Sequence, residues 1–159
     1  AKSDMGSVIS HVNKVLYKTE KLVPSIIVLL QPTSPFRKAF HIDEAIDKYM
    51  TSKSDSLVSV VKVPHNYNPY SLMQTNYNYI ESFFKFDEKN NLRQNKPIFF
   101  ARNGAIYIFN MDCIKNESLY GKKIIPYEMS ELESLDIDTN WDFELAKILM
   151  KKEKNENKI

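Results

Sequence analysis

Glycine is scarce in this chain of 159 residues: Gly6, Gly104 and Gly121 are its three, too far apart to build a glycine-rich loop of the kind that cradles phosphates. Cysteine is scarcer still. Cys113 has no partner for an internal disulfide, which suits a reducing, cytoplasmic setting. No apolar run approaches the ~20 residues that a bilayer-spanning helix needs, so no membrane role is expected. An excess of one charge is lacking too. Lys and Arg number 22 against 20 Asp and Glu, for a formal charge of +2, which provides no basic stripe for nucleic acid. There is no internal repeat, and the opening Ala-Lys-Ser-Asp-Met-Gly-Ser does not have the pattern of a signal peptide. With 43% hydrophobic and 26% charged residues, the composition is that of a single domain over 1–159 with one core.

One stretch stands out against these absences. Ile26 to Leu30 is wholly apolar and stops abruptly at Gln31, Pro32, Thr33, Ser34, Pro35, Phe36 and Arg37. A run without polar alternation suits a strand covered on both faces, as in a parallel sheet. Pro32 and Pro35 fix φ near −65° and lack a backbone donor, so they hold Gln31, Thr33 and Ser34 in a stiff turn at the strand's carboxyl end. Ligands collect at that end in open α/β sheets.

The surrounding pattern is α/β. From Ser7 to Lys21, Val8, Val12, Val15 and Leu16, with Ile9 beside them, recur at helical spacing, with Ser7 as N-cap and Pro24 as the stop. Ile42, Ala45, Ile46 and Tyr49 give a second helix one apolar face, and Leu57–Val63 reads as a buried strand. Strand, helix and strand within about 40 residues make a βαβ unit with parallel strands and a right-handed crossover. From residue 65 to 100 the character changes. Tyr67, Tyr70, Tyr77, Tyr79, Phe83, Phe84 and Phe86 are mixed with Asn and Gln, as in an inserted arm of loops and hairpins with a turn at Asp87–Asn91. Without a basic stripe, these aromatics suit packing against another subunit better than stacking on bases. Arg102-Asn103-Gly104 reads as a turn, Ala105–Phe109 as a core strand and Ile124–Met129 as a further short one. The last helix has Trp141, Leu145, Ile148 and Leu149 as its apolar side, with Thr139 and Asp142 as a capping box and a solvated tail from Lys151 to Lys158.

Three places can carry chemistry. If Asp136-Ile137-Asp138 is extended, its carboxylates share a face and suit Mg²⁺, which takes one or two protein carboxylates and completes its shell with water and substrate phosphate. On spacing alone the simpler reading is favoured, that Asp138 caps the last helix and Asp136 is a solvated loop residue. Arg102 has the guanidinium fork that pairs with a carboxylate or phosphate, or it is a surface arginine; Gln31 contacts a ligand or satisfies its own turn.

Taken together, Val28 to Arg37, Arg102 to Ile108 and Leu135 to Thr139 resemble, in this order, the acylneuraminate cytidylyltransferases, the CMP-sialic acid synthetases. The resemblance spans nearly the whole chain and is least specific over Tyr67–Phe100. It implies a three-layer, Rossmann-like nucleotide-diphospho-sugar transferase domain with a mostly parallel sheet, helices on both faces and an inserted arm that makes a homodimer. The reaction it implies is Mg²⁺-dependent transfer of CMP from CTP to the anomeric hydroxyl of a nonulosonic acid, of sialic, legionaminic or pseudaminic type, with release of pyrophosphate. By position, Asp136 and Asp138 match the family's metal-binding and catalytic aspartates. Gln31, Thr33 and Ser34 match the turn that contacts the sugar, and Arg102 and Asn103 match the segment whose arginine pairs with the sugar carboxylate. Phe36 stands where leucine is usual. The family's opening strand and phosphate loop have no counterpart here, so the resemblance is to the C-terminal two thirds, and the expectation is a fragment inactive alone. The alternatives are a sugar nucleotidyltransferase using another nucleotide and a non-catalytic sugar-binding or assembly module.

Overall fold

Residues 5–84, 97–111 and 120–156 are described in the computed structural model of the chain. The turn expected at Asp87–Asn91, Phe86, Cys113 and the last residues of the Lys/Asn/Glu tail lie outside them.

Apolar alternation builds the centre. Strand β1 (Ile26–Leu30), β2 (Ser56–Lys62), β5 (Phe100–Asn110) and β6 (Ile124–Glu128) form one sheet in the order β1-β5-β2-β6. β1, β2 and β6 run in one direction, and β5 runs against them between β1 and β2. The two strands of the expected βαβ unit therefore share a direction but are not neighbours. β1 lies at the margin of this sheet and is half-buried rather than covered on both faces, with Leu30 exposed.

Period-two alternation along the strands divides the core. Leu57, Ile106 and Ile108 point to one face, where they meet Ala45 and Tyr49 of helix α2 (Ala39–Thr51), with Ile42 and Ile46 packed against the cluster. Val58, Val60, Tyr107 and Phe109 point to the other, where they meet Ile9 of helix α1 (Met5–Glu20). Helices thus cover both faces, as an α/β layered domain requires.

Helix ends and faces depart from expectation in places. α1 is already helical at Met5, so Ser7 lies within the first turn and is not the N-cap. Val8, Val12 and Val15 are exposed, and Ile9 is the residue that reaches the core. The helix closes on Lys21 at φ +57°, a left-handed position more often held by glycine, of which this chain has few. In helix α3 (Asn140–Glu156), Trp141 and Ile148 point outward and Ala146 is buried, so the inward face lies one residue round from the expected stripe. The capping box is present: Thr139 N–H donates to Asp142 Oδ2 over 2.8 Å and Asp142 N–H to Thr139 Oγ1 over 3.3 Å.

The arm begins with two short 3₁₀ turns, His65–Tyr67 and Pro69–Ser71, and continues as a hairpin of β3 (Met73–Asn76) and β4 (Tyr79–Ser82), which pairs with no other strand among the described residues. Every residue of both strands is exposed. No described helix is long and apolar enough to cross a membrane.

Candidate functional site

The turn after β1 is held from within and from β5. Phe36 is buried and anchors it in the core. The Arg37 guanidinium donates through Nη1 to the carbonyls of Gln31, at 2.8 Å, and Ala105, at 2.9 Å, tying the turn to β5. Arg37 is thus a clamp for the turn, a role its place in the sequence did not suggest.

Arg102, Asn103 and Gly104 do not form a turn between strands. They lie inside β5, at an irregularity where the pairing passes from Val58↔Tyr107 to Val60↔Arg102. Ser59 alone therefore faces the stretch from Asn103 to Ile106. Its hydroxyl fills the gap, donating to Asn103 Oδ1 at 2.6 Å and accepting the Ile106 N–H at 2.7 Å. Gly104 makes the bend possible at φ +77°, a conformation that side chains other than glycine rarely adopt.

The bend brings two of the expected residues, Gln31 and Asp136, together. A Cβ on Gly104 would stand 2.7 Å from Gln31 Oε1 and 3.0 Å from Asp136 Oδ2, so both side chains close over the bare glycine backbone. The Ile137 N–H donates to the Thr33 carbonyl over 2.9 Å and joins the acidic segment to the turn. Asp136 Oδ1 and Ser34 Oγ are both buried without a hydrogen-bond partner among the described residues. Stripping a carboxylate oxygen of water and giving it no donor is costly, so such an atom has acceptor capacity that a water, a ligand or a cation can take up.

Asp138 is exposed, and its carboxylate has no hydrogen-bond or ion-pair partner among the described residues. It does not cap α3, since Thr139 and Asp142 do so and the Asp138 N–H itself donates to Asp142 Oδ2 at 3.2 Å. No group of three or more His, Cys, Asp or Glu side chains placed to hold a metal occurs among the described residues, so any cation here rests on two carboxylates and its substrate.

Asn103 is buried and its amide is taken up by the protein. Oδ1 also accepts the Ala105 N–H, at 3.2 Å, and Nδ2 donates to Ser134 Oγ at 2.9 Å. It braces the bend against the acidic loop.

Arg102 is exposed, and among the described residues its side chain bonds to neither Gln31 nor Asp136. It donates to the Tyr120 hydroxyl at 3.0 Å and lies 5.5 Å from that ring's centroid. It borders a cleft of ≈ 340 Å³ floored by Val58, Val60, Ile125 and Pro126. Tyr107 links the two parts: its ring lies 6.0 Å from that of Tyr120, and its phenol feels both Arg102 and Asp136. Burial first, then Tyr120, and weakly Asp136, push the Tyr107 pKa up from 10.0 against the opposing pull of Arg102, so it stays a neutral phenol. Tyr107 and Tyr120 escaped the sequence reading because one reads as strand core and the other lies in no motif.

Comparison with known proteins bears on the family and the fold. No family model matches the sequence. The chain is 37% identical to N-acylneuraminate cytidylyltransferase of Escherichia coli over 133 residues, 82% of this chain and 31% of that protein. It is 31% identical to CMP-N,N'-diacetyllegionaminic acid synthase of Legionella pneumophila over 153 residues, 93% of this chain and 64% of that one. It thus spans about a third of the first relative and under two thirds of the second. In fold it is similar to the solved structure of CMP:2-keto-3-deoxy-manno-octonic acid synthetase complexed with CTP, with a TM-score of 0.59 and 15% identity, covering 96% of this chain and 70% of that one.

Proposed function

Because this chain belongs to the acylneuraminate cytidylyltransferase family, we propose that it carries the acceptor-sugar side of an enzyme that moves CMP from CTP to a nonulosonic acid. The acceptor is of sialic, legionaminic or pseudaminic type, and pyrophosphate is released. The observation that carries this reading is the closure of Gln31 and Asp136 over the bare backbone of Gly104, beside a proline-stiffened turn.

In this reaction the anomeric hydroxyl oxygen attacks the α-phosphorus of CTP. A new P–O bond forms, the bond to the bridging oxygen of the β-phosphate breaks, and the hydroxyl proton is lost to solvent or a carboxylate. Positioning and charge do most of the work, since hydroxyl and triphosphate must be held in line against their repulsion. Gln31, Thr33 and Ser34 orient the sugar, with the unpartnered Ser34 hydroxyl supplying a hydrogen bond. Arg102 pairs with the sugar carboxylate in the cleft it borders, where the apolar floor strengthens the ion pair. Asn103 serves the sugar indirectly, through the bend it braces.

Asp136 and Asp138 fit Mg²⁺, because one has a buried, unpartnered oxygen and the other an unengaged carboxylate two residues on. When bound, the ion neutralises phosphate charge and fixes the phosphates in place. The exposed Tyr67, Tyr77, Tyr79, Phe83 and Phe84 of the arm fit a homodimer contact, and the single cysteine fits a cytoplasmic enzyme.

The test is pyrophosphate release by the full-length gene product with Mg²⁺, CTP and a panel of nonulosonic acids, with GTP and UTP as controls. Turnover with CTP and at least one nonulosonic acid is expected. No turnover with any of them overturns the reading, and turnover confined to GTP or UTP reassigns the nucleotide.

A further inference from the structure

A second polar cluster lies behind the acidic segment, and the reaction proposed above does not use it. His41, in the first turn of α2, is only 3% exposed. Its Nδ1 accepts the backbone N–H of Lys38, the residue that precedes the helix, over 3.1 Å. The imidazole thus does what glutamate does in a capping box. An acceptor at Nδ1 leaves the ring proton on Nε2, and Nε2 faces Glu133 Oε1 at 3.2 Å. The other groups around this pair are Lys38 Nζ, 3.8 Å from both Glu133 and Glu153, and Tyr127, whose ring lies 6.3 Å from the imidazole and whose hydroxyl donates to Glu44 at 2.6 Å. The Ser130 hydroxyl donates to Glu133 Oε2 at 2.7 Å, closing the turn over Ser130–Ser134. The Ser130 hydroxyl first, and more weakly the Lys38 ammonium, lower the Glu133 pKa from 4.5 against the opposing effect of burial.

The connections of this pair make it more than local packing. The turn Gln31–Arg37 runs directly into Lys38 and so into the His41 cap. Glu133 begins the loop that reaches Asp136 and Asp138. That loop is pinned at three successive points: Glu133 to His41, Ser134 to Asn103, and Ile137 to Thr33. Asp136 stands between the second and third.

We propose that His41 is a positioning residue: held in one tautomer by the Lys38 N–H, it fixes Glu133 and so sets the acidic loop, and Asp136 with it, in register with the turn Gln31–Ser34. Its contribution to turnover rests on the cytidylyltransferase reading, since the function it serves is presentation of Asp136 and Asp138 to a divalent cation. Groups hydrogen-bonded directly to a metal ligand typically change metal affinity 10- to 100-fold when removed; His41 acts one step further back, through Glu133 and the loop backbone, and a smaller effect is expected of it.

The experiment uses the full-length gene product and its His41→Phe and His41→Gln variants, with Glu133→Ala and Glu133→Gln approaching the contact from the less buried side. Three quantities are read: the Mg²⁺ concentration for half-maximal rate, Mg²⁺ binding by calorimetry, and hydrogen exchange of the Ile137 amide. His41→Phe and Glu133→Ala are expected to raise the Mg²⁺ requirement severalfold with a smaller change in kcat, to weaken binding equally, and to speed exchange at Ile137. His41→Gln and Glu133→Gln, which keep a donor and an acceptor in place, are expected to recover most of each loss. Unchanged Mg²⁺ affinity and unchanged Ile137 exchange in both truncated variants overturns the proposal. So does a loss of kcat at unchanged Mg²⁺ affinity, the pattern of a merely structural residue. If the parent protein turns over no nonulosonic acid, the functional reading fails, while calorimetry and exchange still decide whether His41 sets the loop.

Discussion

The side chain of Gln31 occupies the space that a Cβ on Gly104 would need: its Oε1 lies 2.7 Å from that position, with Asp136 Oδ2 at 3.0 Å. Gly104→Ala must therefore displace both groups and also hold φ +77° with a side chain. We predict a loss of roughly 1–3 kcal/mol in stability, read from urea unfolding, together with a raised KM for the sugar. A variant as stable and active as the parent would show that Gln31 and Asp136 do not depend on this closure.

Arg37 is expected to matter for stability as much as for activity, because Nη1 serves the carbonyls of Gln31 and Ala105 at once. Arg37→Ala leaves both carbonyls without that donor and should cost about 2–3 kcal/mol. Arg37→Lys should recover only part, since an ammonium on a flexible stem does not reproduce the planar fork. Thermal unfolding of the two variants measures this. Full recovery by lysine would mean that charge alone, without geometry, holds the turn.

Asn103 separates a bracing role from direct sugar contact. Its amide serves Ser59, Ala105 and Ser134 in the interior, so Asn103→Ala strands several buried polar groups, each worth about 1–3 kcal/mol. The expected outcome is a marked fall in the urea midpoint. If the midpoint holds and only the KM for the sugar rises, Asn103 contacts the substrate directly.

Asp55 gives a prediction in pH. Its Oδ2 accepts the backbone N–H groups of Lys122 and Lys123, at 2.7 and 2.9 Å, and these bonds, that of Lys123 first, lower its pKa from 3.8. A carboxyl with a lowered folded pKa adds stability that is complete above its unfolded value and is lost as the pH falls through the folded one. Acid unfolding curves should therefore show less loss below pH ~4 for Asp55→Asn than for the parent, from a lower starting stability. Parallel curves would remove Asp55 from the acid response.

What could be read ahead of the structure was what depends on neighbours in sequence. The α2 face of Ile42, Ala45, Ile46 and Tyr49 follows from a 3.6-residue period, and the Thr139–Asp142 box from a spacing of three. Contacts between distant residues left no such trace. That β5 enters between β1 and β2 depends on pairings such as Ile106 with Leu30 and Tyr107 with Val58. The bend at Gly104 exists because Ser59, 45 positions earlier, faces it. Arg37 reaches Ala105 from 68 positions away, and His41 reaches Glu133 from still farther along the chain. Trp141 and Ile148 fit the helical period, but tertiary packing selected Ala146 instead. Of the candidate site, the turn, the arginine and the aspartates were legible as motifs. Tyr107, Tyr120, Arg37 and His41 were not, because each acts through a contact that no local pattern encodes.

Asp138 can be tested against its simplest alternative, a helix cap. Thr139 and Asp142 satisfy the start of α3, and Asp138 contributes only its backbone N–H, so the helix does not need its carboxylate. Thr139→Ala should cost about 1 kcal/mol and shorten α3 from its amino end while leaving Mg²⁺ dependence near that of the parent. Asp138→Asn keeps shape and backbone and removes the charge. It should leave the unfolding midpoint unchanged and raise the Mg²⁺ requirement, or abolish turnover, because a neutral amide is a far poorer ligand for a hard cation. Circular dichroism with a Mg²⁺ titration of activity distinguishes the two. Were Asp138→Asn to lose helix and keep its Mg²⁺ response, the carboxylate would be structural, and Asp136 alone would have to hold the cation with the phosphates.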